Sequence, residues 1–145
     1  MFMNATIERF GGAAAVVKEY EHWLVLLRPQ AVTLGSLVLA AKSPATAYGA
    51  LPTHAFTEQA RVVADIESAL SRAVDQQKVN YLMLMMVDPH VHFHVIPRYE
   101  GVRTFGDVQF PDAGWPKTPD LGSAVPLSGE QVAAQIAWLR AAWPS

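Results

Sequence analysis

Cysteine is absent from the 145 residues of this chain. That excludes disulfides, thiol nucleophiles and cysteine-ligated zinc, and it fits a reducing compartment. Charge is sparse as well: 17% of residues are Asp, Glu, Lys or Arg, and the formal net charge is −2. No global basic field is present to hold a nucleic-acid polymer, although a small anion needs only local positive groups. No apolar run reaches the roughly 18 residues of a membrane-spanning helix. The start, MFMNATIERF, has no basic leader and meets Glu8, and the apolar run at 13–17 is too short for a signal core. The expectation is a cytoplasmic protein that engages neither a membrane nor a nucleic-acid polymer.

What the chain has is apolar residues, 51% of the total, enough for one domain over residues 1–145 with a real core. Asn4 is placed to cap a short helix over 4–10 that Gly11 and Gly12 end. Segments 14–20, 22–27 and 36–41 read as strands, with Pro29 stopping the second and Gly35 allowing a sharp bend before the third. Residues 43–52 read as loop or one helical turn. From Thr57, TEQARVVADIESALSRAVDQQ carries apolar residues at Ala60, Val63, Ile66, Ala69, Leu70, Ala73 and Val74, which predicts a helix capped by Thr57. Residues 80–87 are almost uniformly apolar, as in a strand buried on both faces or a short buried helix segment. Asp88-Pro89 predicts a tight turn into an alternating strand, and so an antiparallel hairpin. Residues 99–127 hold four prolines and four glycines without a sustained period. Such a stretch is usually functional or lies across a partner. Ser128 then caps a last helix over 128–143, with Val132, Ile136, Leu139 and Trp143 in one stripe and Trp138 beside it.

Three of the five histidines fall in DPHVHFHVIPR, residues 88–98. On a strand, His90, His92 and His94 share one face, about 7 Å apart, while Val91, Phe93 and Val95 face the core. Three readings compete. The row is an exposed polar face, or a metal site, or a phosphoryl-transfer site in which one imidazole attacks phosphorus and its neighbours orient it and hold oxygens. The metal reading requires a bent strand, because neighbours about 7 Å apart do not converge on one ion at about 2 Å each.

HVHFHVIPR resembles the signature of the histidine triad (HIT) family, H-φ-H-φ-H-φ-φ with φ apolar. Residues 90–96 match it at every position, and the Pro97-Arg98 that follows also recurs there. Upstream, HWLVLLRPQAVTLGSLVLA is similar to the family's first long hairpin, and the helix from Thr57 stands where the family has its long helix. The likeness spans about residues 20–100. It implies an α+β fold: an antiparallel sheet of about five strands with one long helix packed on it, here followed by a C-terminal helix, in a homodimer. It also implies hydrolysis or transfer of a nucleotide at its α-phosphorus, with no cofactor and no essential metal. By position, His92 is then the nucleophile, His94 contacts the phosphate and His90 supports the row. For the far ring nitrogen of His92 to attack, the near one must hold the proton and donate to a backbone carbonyl. Substrates implied are dinucleoside polyphosphates, such as diadenosine tetraphosphate, or nucleoside phosphoramidates.

The sequence departs from the family where many members carry a glycine-rich loop with Gln and Ser or Thr. Residues 82–89 contain none of these, and Asp88 would repel a phosphate unless a cation intervened. Arg28 falls near a ribose-binding asparagine of the family and is a candidate for ribose or phosphate oxygens, or else a solvated strand end. Asn80 is a candidate stand-in for an asparagine about ten residues before the triad, or else a strand-edge residue. Ser36 replaces a histidine. Arg98 is expected to tether the sheet or dimer. Trp115 is a candidate for stacking on a base, with Lys117 and Arg103 as nearby charge. His22 and His54 read as ordinary surface or half-buried histidines, and Trp138 and Trp143 as core or dimer contacts. Two other functions stay open, a nucleotide sensor without turnover and a three-histidine metalloprotein.

Overall fold

The computed structural model describes residues 3–145. The chain opens with α1 (Ala5–Arg9), where Asn4 Oδ1 accepts the Ile7 N–H at 2.9 Å and Asn4 Nδ2 donates to the Ala41 carbonyl at 3.1 Å. One residue thus caps the helix and pins it to the sheet. Gly11 and Gly12 leave the helix with φ of +109° and +57°. A 3-10 turn, Gly12–Ala15, then takes up the start of the expected first strand, so β1 is only Val16–Glu19. Next come β2 (Trp23–Leu27), the two-residue β3 (Gln30–Ala31), β4 (Leu37–Ala41) and α2 (Thr53–Ala73). They are followed by β5 (Lys78–Leu82), β6 (His92–Arg98), β7 (Val102–Phe105), β8 (Val108–Pro111), β9 (Val125–Pro126) and α3 (Gly129–Ala142). No helix among the described residues is long and apolar enough to cross a membrane.

Five strands form one antiparallel sheet in the order β1-β2-β4-β6-β5. The α+β architecture implied by the family resemblance is therefore present. Alternation sorts each strand between two cores. Trp23, Val25, Leu27, Leu37, Leu39 and Val95 pack with Val62, Ile66 and Leu70 of α2 and Ile136 and Leu139 of α3. On the opposite face, Leu24, Leu26, Val38 and Ala40 pack with Ile7, Ala15 and Val16. The second face is the one that carries the histidines.

Three expectations need correction. The long helix begins at Thr53, one turn before Thr57, and its N-cap is Pro52. The earlier start lets the Ala55 carbonyl accept the Trp23 indole N–H at 2.8 Å, while Thr57 Oγ1 merely back-bonds to the Thr53 carbonyl. Counting back one turn from Ile66, Val62 faces the sheet and Ala60 is exposed. Second, residues 80–87 are not buried on both faces. β5 is an edge strand that stops at Leu82, and Leu84, Met86 and Val87 stay 51%, 87% and 76% exposed. Met85 has φ +52°, a left-handed conformation that breaks the extended run. The link to β6 is residues 83–91 rather than a tight turn at Asp88-Pro89. Third, the loop-rich segment contains the β7–β8 hairpin and β9, which pairs with β3.

Candidate active site

β6 is paired on both edges, with Ala40 and Val38 of β4 opposite His92 and His94, and Leu82 of β5 also opposite His94. His92 and His94 are thus set on a strand that cannot slide without breaking two ladders. His90 lies just before the strand. Its backbone N–H donates to Thr6 Oγ1 at 3.4 Å, and its Nδ1 meets the same hydroxyl at 3.1 Å. The short N-terminal helix therefore holds the first histidine of the row.

The hydrogen bonds of the other two rings give them opposite tautomers. His92 Nδ1 lies 2.7 Å from the His90 carbonyl oxygen. A carbonyl only accepts, so Nδ1 carries the hydrogen and Nε2 keeps its lone pair. At His94 the arrangement is reversed. Arg28 Nε donates to His94 Nδ1 at 3.4 Å, and a guanidinium only donates, so the His94 hydrogen sits on Nε2. Burial, then the charge of Arg28 and the neighbouring His92, push the His94 pKa down to about 4, which keeps it neutral at pH 7. Burial also lowers the Arg28 pKa. The two imidazoles meet edge to face with centroids 5.2 Å apart. One offers a lone pair and the other an N–H donor.

Phe10 covers both rings, its centroid 5.6 Å from each, and His92 is left only 2% exposed. Beside Phe10, Arg9 Nε pairs with Asp88 Oδ1 at 3.1 Å. This is the cation that Asp88 required. The ion pair links α1 to the loop before β6, and both partners line a cavity of about 330 Å³ whose wall also includes His92, His94, Arg28 and Met86. A second hollow of about 430 Å³ shares Arg9, Phe10 and Arg28 and continues to Pro29 and Gln30.

No protein-family model matches the chain, and no curated protein matches it by sequence. Solved structures do. A histidine triad protein from Sinorhizobium meliloti aligns with a TM-score of 0.76 at 20% identity, over 97% of this chain and 95% of that one. One from Marinobacter aquaeolei aligns at 0.62 and 25% identity, over 99% and 96%. A diadenosine triphosphate hydrolase from Plasmodium falciparum aligns at 0.62 and 12% identity, over 89% and 76%. This chain has the histidine triad fold.

Within that HIT fold the candidate residues fall into two groups. Arg28 joins the triad cavity, as do Arg9 and Phe10, while Thr6 holds His90; sequence reasoning missed the last three. Nothing local in ATIERF says that this helix folds back onto the sheet; the only hint was the unbalanced charge of Asp88. Asn80 is elsewhere. Its Oδ1 accepts from Arg98 Nη1 at 2.7 Å, in a separate hollow of about 340 Å³ that also holds Trp115 and Lys117. Arg98 is the tether there, reaching Asp112 at 2.7 and 3.2 Å and the Lys117 carbonyl at 2.8 Å. Arg103 donates to the Val74 and Asp75 carbonyls and lies 4.5 Å from the Tyr99 ring centroid. Ser36 is buried against Thr33. Trp138 packs on Phe105, and the Trp143 N–H donates to Tyr20. His22 and His54 stack in a surface hollow away from the triad. All three triad Nδ1 atoms are engaged within the protein. Among the described residues, no group of three or more His, Cys, Asp or Glu is arranged to hold a metal ion.

Proposed function

We propose that this protein is a nucleotide hydrolase or transferase that acts at the α-phosphorus of a dinucleoside polyphosphate or nucleoside phosphoramidate, through a covalent nucleotidyl-His92 intermediate. The observation that carries the reading is the pair of opposite tautomers. His92 presents Nε2 with a free lone pair because Nδ1–H is spent on the His90 carbonyl. His94 presents Nε2–H because Nδ1 accepts from Arg28. A phosphoryl oxygen held by His94 and Arg28 would place phosphorus before His92. His92 Nε2 forms the N–P bond, and the bond to the leaving group breaks with its electron pair, which takes a proton from water. Water then attacks phosphorus, the N–P pair returns to Nε2, and the nucleoside monophosphate departs. His90 acts as a positioning residue, through its carbonyl and through Thr6.

The test is intact-mass measurement, without acid quench, after mixing the protein with diadenosine tetraphosphate or an adenosine phosphoramidate. A gain of one nucleoside monophosphate in the parent and none in His92→Ala supports the reading. Turnover in His92→Ala at the parental rate would overturn it. A second reading, a nucleotide sensor without turnover, draws on the 2% exposure of His92 beneath Phe10. Tight nucleotide binding with neither adduct nor product would select it. We further infer a cytoplasmic homodimer, which sedimentation as a monomer would contradict.

A further inference from the structure

We propose that the hollow around Arg98, Asn80 and Trp115 is a second ligand site, which binds a small phosphate monoester carrying a flat ring. It lies on the sheet face that carries His92 and His94, at the other end of β6. Arg98 is four residues beyond His94, about 13 Å along the strand. The proposal does not rest on the chemistry at His92 and makes no use of the triad cavity.

The donors are the first argument. The hollow, about 340 Å³, has Lys78, Asn80, Arg98, Trp115 and Lys117 in its wall and no carboxylate among its lining residues. Asp112 is taken by Arg98, at 2.7 and 3.2 Å, and that pair cancels. Among the described residues neither Lys78 nor Lys117 forms an ion pair, so two positive charges stand uncompensated. Asn80 Oδ1 accepts from Arg98 Nη1 at 2.7 Å. That contact turns Asn80 Nδ2 away from the guanidinium, and among the described residues its two N–H groups meet no acceptor. Of the five N–H groups of Arg98, four reach Asp112, Asn80 and the Lys117 carbonyl, which leaves one on Nη1. The Arg98 side chain is 4% exposed, and an N–H at that depth calls for an acceptor.

Charge and shape name the ligand. A phosphate monoester carries about −1.5 to −2 at pH 7 and three acceptor oxygens. That matches two free ammonium groups with amide and guanidinium N–H groups beside them. A diester or a single carboxylate, with one charge, would leave one lysine unanswered. Trp115 supplies the rest. It is half-buried, its backbone N–H donates to the Asp112 carbonyl at 3.2 Å, and its indole is a surface on which a ring of the ester can stack. Arg98 organises the set before any ligand arrives, because one guanidinium holds Asn80, Asp112 and the Lys117 carbonyl together.

The experiment titrates the full chain with phenyl phosphate and follows two magnetic-resonance signals, the Trp115 indole N–H and the Lys117 backbone amide. The expected result is a saturating shift of both, with a Kd of about 1 mM or tighter. In the Lys78→Ala, Lys117→Ala double variant the affinity read at Trp115 should weaken by about tenfold or more, the scale of a charge-assisted hydrogen bond. Both lysines are exposed, so that variant keeps its fold. Inorganic phosphate should bind about threefold or more less tightly than phenyl phosphate, and Trp115→Ala, read at Lys117, should erase the difference. Benzyl alcohol, which has the ring without the charge, should leave both signals in place. Unmoved signals with phenyl phosphate, equal affinity in the double-lysine variant, no advantage over inorganic phosphate, or an equal shift with benzyl alcohol would overturn the proposal. None of these readouts needs turnover, so failure of the chemistry at His92 leaves them intact.

Discussion

Strand β6 and the loop that leads into it border the same cavity and are built differently. β6 is hydrogen-bonded on both edges, and every residue from His92 to Arg98 except Phe93 is buried. The loop at 83–87 lies past the last pair of the ladder, Leu82 with His94, and holds Leu84, Met86 and Val87 largely in solvent, while Met83 and Met85 are half-buried against the core. The strand fixes atoms to within a bond's tolerance, which a nucleophile and a phosphate donor need. The loop fixes little and presents surface, which suits selection of what is bound. On the proposed function, reaction belongs to the strand, and the Arg9–Asp88 pair joins the N-terminal helix to the loop.

The sharpest way to break that division is His92→Ala. If the strand carries the chemistry, kcat should fall by about 10³-fold or more, with adduct formation lost, as measured by product release and intact mass. Next in size is Arg98→Ala. Its guanidinium is 4% exposed and its partner carboxylate 1%, so removing it strands a buried charge. Denaturant unfolding should register a loss of about 3–5 kcal/mol. The same variant should release the segment around Lys117 while leaving the tautomers at His92 and His94 in place.

A third test uses pH. The folded pKa of His94, about 4, lies below the ordinary 6.5. The unfolded chain therefore binds the proton more readily. The contribution of neutral His94 to stability is fully present above pH 6.5 and is lost as pH falls from there toward about 4. Urea midpoints at pH 7 and pH 5 should differ more for the parent than for His94→Asn, and equal differences would count against the reading. The smallest effect belongs to the loop: Arg9→Ala should change stability by less than about 1 kcal/mol, because the pair is exposed on the Arg9 side, at 60%. Its mark should be on kcat/KM ratios between substrates, since Asp88 is then left uncompensated in the cavity wall.

Much of β6 was legible because period-2 alternation and an apolar sheet face are local properties. HVHFHVI states both which side chains share a face and which side is core. The short helix at Asn4 and the strands ending near Leu27 and Ala41 were legible for the same kind of reason, a cap or a proline next to a pattern. Residues 80–87 were misread because an apolar run gives no sign of whether its strand is central or at an edge. Only pairing settles that: β5 has one neighbour and β6 has two. Thr57 was misread as a cap because a threonine before an acidic residue fits both a helix start and a helix interior. Asn80 and Trp115 were put forward one at a time from sequence, and the fold brings them together around Arg98, away from the triad.

By itself, the sequence determined that His92 and His94 share one face of a strand, which follows from strand geometry. The proton on the near nitrogen of His92 was what the family resemblance implied. Only the tertiary structure decided that the His90 carbonyl takes that proton's hydrogen bond, that Arg28 sets the opposite tautomer at His94, and that Arg9 and Phe10 close over both rings. The pairs Thr6–His90, Arg9–Asp88 and Arg28–His94 join distant parts of the chain. No local pattern encodes such pairs; they exist once α1 has packed on the second face of the sheet.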